Sequence, residues 1–149
     1  MAGEAVAFET GPHLSAAVLC ERVLEEKDGV LTLVRLVDRI IVTAQGPDAP
    51  TSLPPTVVNF WIVVSLKSGA ARGRSVVKIR PEQPSGQQMD PIELTVHFEG
   101  EDRGANLILN MGFNVEQEGL YWFDILLDER LITRVPLRIL YQRQTAGSQ

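Results

Sequence analysis

Residues 119–141 constrain the fold of this chain more than any other stretch. They read Gly-Leu-Tyr-Trp-Phe-Asp-Ile-Leu-Leu-Asp-Glu-Arg-Leu-Ile-Thr-Arg-Val-Pro-Leu-Arg-Ile-Leu-Tyr. Tyr121, Phe123, Ile125 and Leu127 recur at every second position, the spacing that lines one face of a strand. Val135, Leu137, Ile139 and Tyr141 repeat the pattern, with Arg134 and Arg138 facing the other way, and Asp128-Glu129-Arg130 forms a polar break between the two runs. The pattern predicts a β-hairpin with one apolar face. That face has to be covered, and the covering expected for an alternating chain is a second sheet stacked about 10 Å away.

The rest of the chain supplies strands for that second layer. Residues 1–12 are small, polar and broken by Gly11-Pro12, and read as a flexible arm. Residues 14–26 fit period two through Leu14, Ala16, Val18 and Cys20, and fit a helical stripe through Ala16, Leu19, Cys20, Val23 and Leu24. The strand is favoured because Asp28-Gly29 follows, a strong hairpin turn before a β-branched run; a helix here would make the fold α+β. Residues 30–43 carry apolar side chains on both faces, as a central strand or one bent at a bulge would. Prolines make loops of 45–55 and 81–91. Between and beyond the loops, Thr56–Lys67, a short strand at 75–80, Ile92–Glu99 and a run at 105–115 interrupted at Gly112 all read as β. Ile92, Leu94, Val96 and Phe98 alternate most cleanly with polar neighbours. The expectation is an all-β antiparallel β-sandwich, immunoglobulin-like or C2-like, of about eight strands, formed by one domain over 13–142 with a flexible tail at 143–149.

Composition narrows the function classes. At 149 residues, 44% hydrophobic, the chain is long enough to bury a core. A net charge of −5 argues against a nucleic-acid binder, which needs a basic face. The single cysteine, Cys20, excludes an internal disulfide and a cysteine-based metal cage, and points to the cytoplasm. The first residues lack the basic and apolar regions of a signal peptide, and no run is long enough to span a bilayer, so neither export nor a membrane partner is expected.

Two resemblances follow from particular residues. Gly119-x-Tyr121-x-Phe123 resembles the tyrosine corner of immunoglobulin-like sandwiches, with Gln117 where an acidic residue is usual and Phe123 in place of the core cysteine. There the Tyr hydroxyl reaches back to an upstream backbone group. Over most of the chain, Val18-Leu19-Cys20-Glu21, Asp28-Gly29-Val30-Leu31, Arg35-Leu36-Val37-Asp38-Arg39-Ile40, the Gly-x-Tyr-x-Phe-x-Ile-x-Leu-Asp hairpin and Pro136 resemble a family of small β-rich bacterial proteins known only as a domain of unknown function. The resemblance implies a cytosolic bacterial β domain and brings no activity with it. The turn glycine usual in the last hairpin is absent, since Glu129 follows Asp128, which argues against a tight two-residue turn.

Candidate sites are few. Cys20 sits in an apolar register without a histidine placed beside it, so it reads as a packing residue. Asp28, Glu99, Glu101 and Asp102 are acidic turn residues of the kind that hold Ca²⁺ between sandwich loops, or are simply solvated. Arg35, Arg39, Arg134 and Arg138, spaced by four on two strands, make a basic stripe for an anionic ligand if those strands are neighbours; otherwise they are a solvated face. Val57, Trp61 and Val63 make a second face of one strand apolar, and Trp122 alternates away from the core register; together they suggest an interaction surface, unless a loop folds over them. No catalytic motif is present and no cofactor is expected. The expected function is a non-enzymatic interaction or scaffold module whose partner is another protein or a second copy of itself. The alternative is a sandwich that binds an anion on the arginines or Ca²⁺ at the acidic turns.

Overall fold

Alternation turns into nine strands among residues 10–144, the part of the chain described by the structure, a computed structural model. They are β1 (His13–Glu25), β2 (Leu31–Leu36), β3 (Arg39–Gln45), β4 (Thr56–Lys67), β5 (Arg72–Glu82), β6 (Ile92–Glu99), β7 (Gly104–Val115), β8 (Gly119–Leu127) and β9 (Arg130–Gln144). One sheet has the order β2-β1-β4-β7 and the other β3-β9-β8-β5-β6, the latter curled into a half-barrel. Of the expected arm only residues 10–12 are described, and of the expected tail only Arg143 and Gln144. These two are no tail: they extend β9 and pair with Ala44 and Gln45.

The expected hairpin forms and sits at the centre. Tyr121, Phe123, Ile125, Leu137 and Ile139 are fully buried. The second layer meets them through an aromatic cluster: the Phe123 ring lies 5.6 Å from Phe60 on β4 and 5.1 Å from Phe113 on β7, and Tyr121 lies 5.6 Å from Phe113, mostly edge to face. Such pairs add about 0.5–1.5 kcal/mol beyond the area they bury. The tyrosine corner also forms, the Tyr121 hydroxyl donating to the Gln117 carbonyl at 2.9 Å.

Residues 14–26 are strand, as favoured, but 30–43 is not one strand. Arg35 takes a left-handed φ of 57°, and the chain leaves one sheet for the other. The crossing is stitched by successive backbone bonds: the Val37 N–H donates to the Leu19 carbonyl of β1, and the Arg138 N–H of β9 donates to the Asp38 carbonyl. This split makes nine strands rather than eight. It also breaks the all-antiparallel expectation, because β3 runs parallel to β9. Two smaller corrections follow. β5 is longer than 75–80 and includes Pro81, which β5 accommodates beyond Ile79, where its register with β6 ends. Gly112 does not interrupt β7, which pairs with β4 through all twelve residues.

The turn between β8 and β9 is tight despite lacking glycine. Leu127 pairs with Arg130, so Asp128 and Glu129 alone make the loop, at φ 47° and 69°. Both positive values are what a two-residue turn demands of its central residues. The strain is offset from β5: the Val76 N–H donates to Asp128 Oδ1 and the Asp128 N–H to the Val76 carbonyl, both at 2.9 Å, while Lys78 Nζ donates to Glu129 at 2.8 Å.

Candidate functional site

β1 changes partner midway, and this creates the most exposed apolar feature among the described residues. From His13 to Cys20 it pairs with β4; from Cys20 to Glu25 it pairs with β2. Beyond Cys20 the two strands therefore continue as a two-stranded ribbon, closed at 26–30 by Gly29 at φ 84° and by Asp28, whose Oδ1 accepts the Val30 N–H. The ribbon is apolar on both sides. Val23, Leu31 and Leu33 share one face; Leu24, Val34 and Leu36 share the other, and none of the six joins the core. Leu36 is 67% exposed and Val30, at the tip, 59%. The Arg35 guanidinium donates to Glu21 across the ribbon at 2.9 Å.

Where the ribbon diverges, β4 loses a neighbour. Among the described residues, 56–60 pair with β7 on one side only, and β3, paired with β9, has its other edge open. A cleft of about 460 Å³ lies between them, lined by Glu21, Arg39 and Val58 and flanked by Ile41 (51% exposed) and Val57 (55%).

The four arginines do not form one stripe. Arg35 belongs to the other sheet and is held by Glu21. Arg39 and Arg138 are direct cross-strand partners, and neither has a carboxylate within 4 Å among the described residues. Arg134 is consumed in an internal network: its Nε donates to Asp124 at 2.7 Å, its terminal nitrogen to Glu82 at 2.9 Å, and its guanidinium carbon lies 4.6 Å from the centre of the Trp122 ring. Its bond to Asp124 holds it all the more firmly protonated. Arg80 reaches Asp124 from β5 at 3.2 Å, so Asp124, only 4% exposed, sits between two guanidiniums. Asp124 was missed in the sequence. The signal was there, a lone carboxylate inside Phe-Asp-Ile at the outward position of a central strand.

Nor is there one aromatic interaction surface. Val57, Trp61 and Val63 do share the outer face of β4, but Trp122 lies on the other sheet beneath Arg134. Trp61 is half-buried, and Val63 is buried between Val18 and Ile108, which flank it in register. Of the four, Val57 is the one well exposed. The loop at 45–55 turns inward instead of covering this face, with Leu53 in the core and the Pro50 carbonyl accepting the Tyr141 hydroxyl. Cys20 is fully buried in register between Leu36 and Trp61, and burial pushes its thiol up, away from a reactive thiolate. The acidic turn residues do not converge. Asp28 caps the ribbon tip, whereas Glu99 and Glu101 at the turn after β6 are met by Arg103 and Arg72. Among the described residues no group of three His, Cys, Asp or Glu is arranged to hold a metal ion, and no helix is long and apolar enough to cross a membrane.

Residues 15–140 match a family described as "Family of unknown function (DUF6941)". The chain belongs to this family. The match spans the ribbon, both sheets and the hairpin, so the DUF6941 unit is essentially the whole fold described above. No curated protein matches the sequence. Among solved structures, an immunoglobulin-like protein from Pseudomonas aeruginosa is 12% identical, covering 89% of this chain and 99% of its own, with a TM-score of 0.45. The CARDB domain of a Pyrococcus furiosus protein, in complex with di-metal ions, is 11% identical over 87% of this chain and 89% of its own, at 0.42. The Pseudomonas fluorescens alkylpurine DNA glycosylase AlkC is 6% identical at 0.45, and this chain spans 30% of its length.

Proposed function

We propose that this DUF6941 domain is a non-enzymatic protein-interaction module, a curled β-sandwich with an immunoglobulin-like tyrosine corner, which engages its partner through the β1–β2 ribbon and the cleft at its base. One observation carries the reading: a protruding ribbon with six aliphatic side chains outside the core, Leu24 and Leu36 exposed and Val23, Leu31, Leu33 and Val34 half-buried. A two-stranded ribbon is marginal in water by itself. Contiguous exposed apolar surface on a soluble fold marks a binding surface. The open strand edges beside it add backbone donors and acceptors of the kind that an extended segment can pair with. A photo-crosslinking residue at Leu36, in the cell that makes the protein, tests the proposal. A discrete adduct is expected at Leu36 and is lost when Leu24 is changed to Asp, while the same probe at exposed Thr95 on β6 gives none. No adduct at Leu36, or equal labelling at Thr95, overturns it.

A further inference from the structure

Resting on that reading, we infer that the partner is a second copy of this chain, with the ribbon tip of each copy seated on the Arg39–Arg138 pair of the other. Two features of opposite charge, each beside an exposed aliphatic side chain, carry the inference. The tip holds Glu25, Glu26 and Asp28 around the exposed Val30, with Lys27 the one cation between them. Among the described residues, the Glu26 carboxylate is met by the Thr32 hydroxyl at 3.3 Å and that of Asp28 by the Val30 N–H. The receiving surface holds Arg39 and Arg138, side by side on adjacent strands, next to the exposed Ile41. Like charges directly opposite one another on a sheet destabilise it. On the same sheet Arg134 and Lys78 are matched by carboxylates of this chain, and Arg74, Arg130 and Arg143, which form no ion pair among the described residues, lie opposite His97, Leu127 and Ala44 rather than opposite a second arginine. The Arg39–Arg138 pair lacks that match, and an acidic segment from outside supplies it.

Both halves of the contact belong to every copy, so reciprocal seating closes as a two-fold dimer with two identical contacts. The ribbon then buries its apolar residues against the neighbouring copy, which accounts for their exclusion from the core. Salt weakens such a contact, because its charges lie at the rim.

Charge reversal gives a decisive test. One variant carries Arg39→Glu and Arg138→Glu. The other carries Glu25→Arg and Glu26→Arg, leaving the Asp28 cap and Gly29 intact so that the turn still forms. Sedimentation equilibrium at concentrations up to about 100 µM should show the unaltered chain dimerising, and each variant at least about tenfold weaker. Mixed in equal amounts the two variants should form a heterodimer, since one contact then keeps its native sign, the other is complementary with the signs exchanged, and neither sets like charges together; thermal melts confirm that each variant is folded. An unaltered chain that stays monomeric, a dimer indifferent to both reversals, or a mixture that fails to associate overturns the inference. An adduct at Leu36 whose mass is not that of two copies also overturns it while leaving the interaction-module reading standing.

Discussion

The chain contains two hairpins built by the same local rules and treated in opposite ways by the fold. The β8–β9 hairpin and the β1–β2 ribbon each pair two alternating strands through a short acidic turn with left-handed backbone. The first is buried against β4 and β7 and supplies Tyr121, Phe123, Ile125, Leu137 and Ile139 to the core. The second leaves the sheet at Cys20 and supplies nothing to it. Local patterning therefore makes a hairpin, but only a facing layer makes it a source of stability. Where that layer is missing from the chain itself, apolar residues become a surface.

The contrast breaks most visibly if truncation costs the same in both places. Phe123→Ala should lower the unfolding free energy by about 3–5 kcal/mol, since it empties the centre of the aromatic cluster, whereas Leu36→Ala should change it by less than about 0.5 kcal/mol in the monomer. Urea denaturation of the two variants measures both, and equal losses would show that the ribbon is packed. Next in size is Asp124→Asn, which leaves Arg80 and Arg134 without their anion. A loss of about 2 kcal/mol is expected, below the cost for a fully buried pair because both arginines are partly exposed. The ribbon's ion pair offers the control: Glu21→Gln should be nearly neutral, as exposed pairs contribute roughly 0–1 kcal/mol.

The turns sharpen the comparison at smaller scale. Glu129→Gly should raise stability by up to about 1 kcal/mol, because glycine takes the left-handed conformation freely, less whatever the exposed Lys78 pair contributes. Gly29→Ala in the ribbon should act in the opposite direction, though the melting temperature should barely register it if the ribbon opens separately from the core. The smallest effect is one of pH. Burial raises the Cys20 thiol, so above the ordinary thiol range, about 8.5, the unfolded chain has lost a proton that the folded chain keeps. Stability should fall as pH climbs from there, with Tyr121, also raised by burial, adding to the fall near pH 10. Cys20→Ala should flatten the first part of that decline, as read from melts across the alkaline range.

The hairpin, the Asp28-Gly29 turn and the alternating strands β4 and β6 could be read from the sequence because each depends on neighbours along the chain. The ends of β5 could not, since Pro81 suggests a break and only its pairing with Phe123 shows otherwise. Glu129 misled for a similar reason: the bonds that hold its turn come from Val76 and Lys78, about fifty positions away. The switch between β2 and β3 was hidden because both halves are apolar, and the kink falls on an arginine rather than on a glycine. The arginine stripe failed for want of strand order. Spacing by four gives a common face within a strand, but Arg35 and Arg39 sit on different strands in different sheets. Asp124 and its two arginines come together from β5, β8 and β9, and no spacing rule links them.

The parallel pairing of β3 with β9 has a consequence for how the protein is made. Arg39 meets Arg138 and Gln45 meets Gln144, so β3 has to wait for a partner synthesised 99 residues later. Contacts at such separation are slow to form. Until they close, β3 lacks the strand partner it has in the finished sheet, and its backbone donors and acceptors stay open to solvent.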